Sequence, residues 1–340
     1  MTTSRQVVLA KRPAGPPTVD DLRFEDRALR QPDDGDVVLR VIYLSLDPYM
    51  RGRMSDAKSY ADPVPIGGVM EGETISEVIS SRHPNFKQGD LVRGRTGWQT
   101  HDVLNGEVLK HVDTRGAPLE TALGILGMPG FTAYSGMKLI GRPKPGETVV
   151  VAAASGPVGS LVGQLAKMAG ARAVGIAGGS EKCAYVEEEL GFDAAIDHTT
   201  SAFPDQLRAA CPNGIDVYFE NVGGHVWDAV LPLLNRFSRV PVCGLIANYN
   251  GSQHSTGDKL AATMNSVLRL SVTMRGFINY EFEREHYASF LDELAPLVEA
   301  KKLRHREDIV DGLENAPGAF IGMLKGKNFG KLLVRVGADV

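Results

Sequence analysis

A chain of 340 residues with 43% hydrophobic side chains is long enough for two domains, each with its own core. Its 37 basic and 41 acidic residues leave a net charge of -4, which removes the electrostatic footprint of a nucleic-acid or anionic-membrane binder and points to small-molecule chemistry. No apolar run approaches the roughly 20 residues of a membrane span. The opening "MTTSRQVVLAKRPAG" lacks a signal peptide's layout, and Cys183, Cys211 and Cys243 are too scattered for a disulfide framework or a Cys-x-x-Cys metal site. A cytoplasmic protein is expected.

From Val37 to about Val112 the chain reads as short strands broken by turn residues: "DVVLRVIYLSL", "GETISEVIS", "GDLVRGR" and "EVLKHV". After the turn "GRPKPGE" the rhythm changes to strand and helix in alternation. The strand candidates are "ETVVVAA", "RAVGIA", "FDAAID", "IDVYFE" and "RVPVCG", with amphipathic segments such as Glu181 to Leu190 and Val226 to Leu234 between them. That alternation predicts an α/β unit with a parallel sheet covered by helices on both faces. The last residues add a short helix and a final strand able to pair back into the β-rich unit. The domains are therefore drawn as 1–125 plus 300–340 around an inserted 126–299.

Thr148 to Ala153 is a buried parallel strand by its run of valines, and Val158, Leu161, Val162, Leu165 and Ala169 fall on one helical face after it. The turn between them carries Ala154, Gly156 and Gly159, the spacing of a dinucleotide fingerprint with alanine in place of the first glycine. Such a turn lets the backbone approach a pyrophosphate, and the helix start directs partial positive charge at it; the plainer reading is a tight strand-to-helix connection. At the end of the next strand a ribose 2'-hydroxyl calls for a carboxylate. None is present: Gly178, Gly179 and Ser180 leave space and donors, and Lys182 supplies a positive charge suited to a 2'-phosphate, or is simply a solvated lysine. The cofactor expected is NADP(H) rather than NAD. Asn221 with Gly223 and Gly224, the stretch "CGLIANYN", and "GFIN" follow three further strands and are expected at the same edge of the sheet.

The β-rich unit followed by this insert resembles the medium-chain dehydrogenase/reductase superfamily over the whole chain. Where many zinc alcohol dehydrogenases carry Gly-His-Glu, this sequence reads "PIGGVMEGE", with Val69 and Met70 in place of imidazole and no cysteine before Cys183, so a catalytic zinc of that design is not expected. "LSLDPYMRGRM", "GMPGFTAY", "AASGPVGS", "EKCAYV", "GIDVYFENVGG", "CGLIANYN" and "KGKNFGK" resemble the zinc-free prostaglandin reductase and plant double-bond reductase group. "PIGGVM" and "VDGLENAP" look most like the bacterial NADPH-dependent curcumin reductases. The resemblance implies a GroES-like catalytic domain, a Rossmann NADP-binding domain and a dimer, for which the exposed edge strand of the insert is the natural joint. It places Gly156, Pro157, Val158, Gly159 and Ser160 at the pyrophosphate and Gly179, Ser180 and Lys182 at the 2'-phosphate. His198 stands where some relatives have a tyrosine near that phosphate. Asn221, Cys243, Gly244, Leu245, Ile246, Tyr249, Phe277, Ile278, Asn279 and Asn328 fall around the nicotinamide half.

The activity so implied is reduction of the carbon–carbon double bond of an enone or alkenal, with hydride added to the β-carbon and a proton to the α-carbon. Tyr49 and Tyr60 are the candidate donors, and Tyr249 is a candidate for ordering the ribose or the oxyanion, since a phenol is protonated at neutral pH. Tyr49 packed between strands, with water giving the proton, is the alternative. Asp47 reads as a turn-shaping carboxylate. Met50, Arg51, Met54 and Met128 are candidates for an adaptable substrate wall, although methionine also serves as ordinary core filler. A quinone oxidoreductase, or a silent NADPH-binding sensor, would leave the same cofactor loops intact.

Overall fold

The computed structural model describes residues 2–250 and 259–337, and the chain divides into two compact units. Unit 1 comprises Met1–Thr114, Pro118–Leu123 and Glu307–Val340; unit 2 comprises Arg115–Ala117 and Gly124–Arg306.

In unit 1 the strands are β1 (Thr3–Leu9), β2 (Leu22–Ala28), β3 (Asp36–Ser45), β4 (Thr74–Ser81), β5 (Leu91–Gly94), β6 (His101–Asn105) and β7 (Lys110–His111). The segment "EVLKHV", expected as a strand, begins in a 3-10 turn over Gly106–Val108, and the paired strand is only Lys110–His111. Asn105 favours that turn, because its side chain accepts from the Glu107 N–H at 3.0 Å.

Unit 2 follows with β8 (Thr148–Ala152), β9 (Arg172–Ala177), β10 (Ala194–Asp197), β11 (Ile215–Phe219), β12 (Leu234–Val242) and β13 (Thr273–Gly276). The chain then returns to unit 1 for β14 (Glu307–Asp311) and β15 (Lys331–Arg335). β15 lies antiparallel to the central strand β3, Val334 opposite Leu44, which makes the C-terminal segment an integral part of the seven-stranded sheet.

All pairings of the six-stranded sheet in unit 2 are parallel, in the order β10-β9-β8-β11-β12-β13. From β8 the chain winds outward to β10, then crosses back to β11 and winds the other way. That reversal opens a crevice beyond the carboxyl ends of β8 and β11, where doubly wound sheets hold their ligands. The valines of β8 are fully buried between two apolar layers, Val149 and Val151 with Leu161 and Leu165 on one side, Val150 with Leu207 and Val226 on the other. The expected helix Glu181–Leu190 is α-helical only over Ser180–Ala184. It then widens by one residue per turn, Leu190 N–H reaching back to Tyr185 O at 3.1 Å, and Val186 and Leu190 are both buried. No helix among the described residues is long and apolar enough to cross a membrane.

Candidate active site

The crevice of unit 2 begins where β8 ends. Ala153 adopts a left-handed backbone (φ 54°), the chain turns, and the Gly156 N–H donates back to the Ala153 carbonyl at 3.0 Å. The helix Gly159–Met168 then starts so close to the strand that a Cβ on Gly159 would collide with the Ala153 carbonyl oxygen. Pro157 and Val158 lie on the turn before it, and Ser160 is buried in its first turn. Small residues and a helix start at a strand's carboxyl end form a cradle that fits a pyrophosphate.

At the end of β9, Gly179 takes a positive φ of 91° and its N–H donates to Asp197 Oδ1 at 3.0 Å. The same oxygen accepts from the Thr199 N–H at 2.9 Å, so Asp197 straps the ends of β9 and β10 together. These amides hold the Asp197 carboxyl below its ordinary range. No carboxylate occupies Gly178–Ser180 itself; Ser180 and Lys182 lie on the first turns of the short helix that follows. His198 stands at the end of β10 against His225.

The third edge of the crevice is built on β11. Asn221 donates its side-chain N–H to the Ala152 carbonyl at 2.8 Å, tying the ends of β8 and β11. Its carbonyl accepts from the Ile246 N–H at 3.2 Å, and the carbonyl of Val222 accepts from the Ala247 N–H at 3.0 Å. Glu220, buried just before it, was not singled out in the sequence. Its carboxylate accepts from the Tyr218 hydroxyl at 2.9 Å and from the Val222 and Gly223 N–H groups at 2.7 and 2.8 Å, bracing the loop. Burial pushes its pKa up while those donors oppose the shift. The acid that closes "IDVYFE", directly before the Asn221 loop, was the signal that could have found it.

Beyond β12 and β13 lies a cavity of about 380 Å³ lined by Cys243, Gly244, Leu245, Tyr249, Phe277 and Ile278, among others. Tyr249 folds back so that its hydroxyl oxygen accepts from the Leu245 N–H at 3.4 Å. Burial, with Glu220 nearby, pushes the Cys243 thiol up to about 12, so it stays protonated and unreactive. Asn279 donates to the Met128 carbonyl at 3.3 Å, which brings those two expected site residues together within unit 2.

In unit 1 the turn after β3 carries Asp47, Pro48 and Tyr49 into the short helix Met50–Arg53. Asp47 Oδ1 pairs with Lys331 Nζ at 2.6 Å, and that ammonium also donates to the Leu46 carbonyl at 2.9 Å. Ser45 donates its hydroxyl to Asp47 Oδ2. Tyr49 is half-buried, and its phenol is pushed far up, first by burial and then by the negative charge of Asp47, with Arg95 opposing. Tyr60 is 51% exposed. Arg53, which the sequence reading passed over, places its guanidinium carbon 5.6 Å from the Tyr49 ring centre and 4.5 Å from that of Tyr60, and donates to Glu71 at 3.2 Å.

Three of the expected wall residues prove to be structural. Met50 and Met54 have no solvent exposure and belong to the core containing Leu44, Trp98 and Phe320, because their short helix turns them inward. They fill the core rather than line an open pocket. Arg51 is buried and donates to the Gly15 carbonyl at 2.8 Å, holding the N-terminal loop. Asn328 donates to the Gly330 carbonyl at 2.9 Å in unit 1, just before β15. Among the described residues no group of three or more His, Cys, Asp or Glu side chains is placed to hold a metal ion.

Comparison with known proteins agrees with this architecture. Residues 5–112 match a family described as the N-terminal domain of oxidoreductase, and residues 157–295 a family described as zinc-binding dehydrogenase. The chain is 51% identical to an NADPH-dependent curcumin reductase of Escherichia coli (strain K12), covering 99% of this chain and 98% of the relative. It is 38% identical to a 2-alkenal reductase (NADP(+)-dependent) of Nicotiana tabacum, with 99% and 98% covered. The crystal structure of CurA in complex with NADPH from Vibrio vulnificus superposes with a TM-score of 0.95 at 48% identity, over 98% of this chain and 100% of that one.

Proposed function

The chain belongs to the medium-chain dehydrogenase/reductase family, in the group of the prostaglandin, 2-alkenal and curcumin reductases, and from that premise we propose that it uses NADPH to reduce the carbon–carbon double bond of α,β-unsaturated ketones and aldehydes. It is an NADP-dependent oxidoreductase acting on C=C bonds. The observation that carries the cofactor reading is the cradle after β8, closed by Gly156 and Gly159, beside a β9 terminus of Gly178, Gly179 and Ser180 with no carboxylate. Gly156 to Ser160 hold the pyrophosphate, Gly179, Ser180, Lys182 and His198 the 2'-phosphate, and Asn221, Cys243 to Ile246, Tyr249 and Phe277 to Asn279 the nicotinamide half.

When bound, NADPH supplies the hydride that adds to the β-carbon of the substrate. Negative charge then develops on the substrate carbonyl oxygen and is stabilised by neutral hydrogen-bond donors, and water supplies the proton that the α-carbon takes up. Tyr49 Oη, held protonated by burial and by Asp47, is such a donor. A phenol raised this far gives up its proton reluctantly, so its part is to hold the oxyanion rather than to ionise. Tyr49→Phe is therefore expected to lower kcat on an enone by about 100-fold. The wild-type pH profile should show no break from this phenol below about pH 10; retention of full turnover by the variant would end its role.

Turnover with NADPH on an enone, a 2-alkenal, a quinone and a saturated ketone tests the substrate class. The expected order puts the enone and alkenal first, and activity confined to the quinone would make the protein a quinone reductase.

A homodimer is the expected assembly. β13 ends the sheet with all four residues exposed, and the helix Leu260–Leu270 turns Leu260, Met264 and Leu268, four residues apart, outward at 64%, 55% and 81% exposure. A second copy of the chain joined along this edge would cover them. Leu268→Glu should halve the mass measured by size-exclusion chromatography with light scattering, and a wild-type monomer would remove the proposal. Three free cysteines fit a cytoplasmic location.

A further inference from the structure

His225 enters no sequence motif and no contact discussed above except that with His198. The two rings lie 5.3 Å apart at 45°, and His225 Nε2 is 3.2 Å from His198 Nδ1 and 3.3 Å from the His198 carbonyl oxygen. A carbonyl oxygen only accepts, so the 3.3 Å contact is a hydrogen bond in the tautomer of His225 that carries its hydrogen on Nε2. A nitrogen that donates to the carbonyl presents the same N–H to His198 Nδ1, which therefore accepts. The single proton of a neutral His198 is then left on Nε2. That nitrogen lies over the β9 terminus, where a Cβ on Gly178 would be only 3.2 Å from it.

We infer that His225 is a specificity-positioning residue for the cofactor: it fixes His198 in the Nε2–H tautomer, so that a neutral ring donor, rather than a cation, faces the 2'-phosphate of NADPH. The inference rests on the placement of that phosphate at Ser180, Lys182 and His198. It also explains why histidine can stand where relatives have tyrosine, since an Nε2–H and a phenol O–H are both neutral donors.

The charged and titratable groups facing His198 are His225 from the helix Gly224–Val230, Asp197 on its own strand and Lys182 from the helix Ser180–Ala184. Arg208 and Asp228 line the cavity of about 370 Å³ on which both rings border. Burial first, then His225, holds His198 below its ordinary pKa while Asp197 opposes. A second proton would have to sit on Nδ1, facing the His225 N–H, which is the local reason the cation is disfavoured. Phe203 packs edge-on against both rings, 6.5 Å from His198 and 6.0 Å from His225, and keeps the pair in register.

The test compares KM for NADPH and for NADH, on one enone, in the wild type, His225→Phe, His225→Gln and His198→Ala. His225→Phe keeps an aromatic ring against Phe203 but loses the donor. It is expected to raise KM for NADPH about 3- to 10-fold with kcat and KM for NADH unchanged, and His225→Gln, which restores a side-chain N–H, should recover most of the loss. Wild-type discrimination should stay flat from about pH 8 to about pH 7. In His225→Phe it should begin to sharpen at a higher pH than in the wild type, because the opposing His225 ring is gone while burial still holds the His198 pKa down. Nitrogen NMR of His198 reads the tautomer directly: protonated Nε2 and bare Nδ1 are expected. A His225→Phe enzyme with unchanged KM for NADPH, or a proton found on Nδ1, overturns the inference. If His198→Ala raises KM for NADPH in that case, the 2'-phosphate site itself survives. If His198→Ala also leaves it unchanged, the placement of the phosphate and the inference fall together.

Discussion

Lys182→Ala is expected to raise KM for NADPH by about 10- to 100-fold while leaving kcat and KM for NADH nearly unchanged. A hydrogen bond to a charged group is worth about 1.5–3 kcal/mol, and the NADPH 2'-phosphate is the feature NADH lacks. Lys182 lies one turn after Gly179, whose backbone is strapped to Asp197, and the flexible lysine stem brings its charge to a phosphate held there. The effect should shrink at high salt, because the site is only partly buried. Equal losses with both cofactors would mean that Lys182 supports the fold rather than the phosphate.

The second large effect lies in unit 1. Lys331 and Asp47 are buried to 2% and 6% side-chain exposure and pair with each other, with the Leu46 carbonyl accepting from Lys331, the Ser45 hydroxyl donating to Asp47, and the buried Glu73 carboxyl close enough to feel both charges. Lys331→Met leaves the Asp47 carboxylate without its counter-charge, which is expected to cost about 3–5 kcal/mol. The double variant Asp47→Asn with Lys331→Met removes both charges and should recover a good part of that. The two tryptophans separate the units: Trp98 is fully buried in the core of unit 1 and Trp227 belongs to unit 2. In a Trp227→Phe background, denaturation followed by Trp98 fluorescence reports unit 1. A loss under about 1 kcal/mol would show that the pair is hydrated in solution. The pair matters to chemistry because the Met50 N–H donates to the Asp47 carbonyl at 3.1 Å in the same turn that presents Tyr49. Lys331 thus anchors that turn from a strand 284 residues away.

The parts of this molecule that could be read in advance are those written locally. A run of three valines, a small-residue turn and a helical stripe specify a strand, a phosphate cradle and a helix within 22 residues, Val149 to Gly170, and alternation of such units specifies a doubly wound sheet. The absence of a carboxylate at Gly178–Ser180 was equally local. What could not be read depends on partners far along the chain. The burial of Met50 and Met54 is decided by Trp98 and Phe320, and the tautomer of His198 by His225, 27 residues on. Arg53 looks like one more basic residue in "YMRGRM" until its position over two tyrosine rings is known. The widened turn at Tyr185–Glu189 has no counterpart in the helical spacing of Val186 and Leu190, which an ordinary α-helix would also place on one face.

The most direct test of the central claim is to identify the product formed from NADPH and a conjugated enone by NMR. The saturated ketone, one per NADPH consumed, is the result expected of a double-bond reductase. An allylic alcohol, produced by hydride transfer to the carbonyl carbon, or no product despite tight NADPH binding, would contradict it.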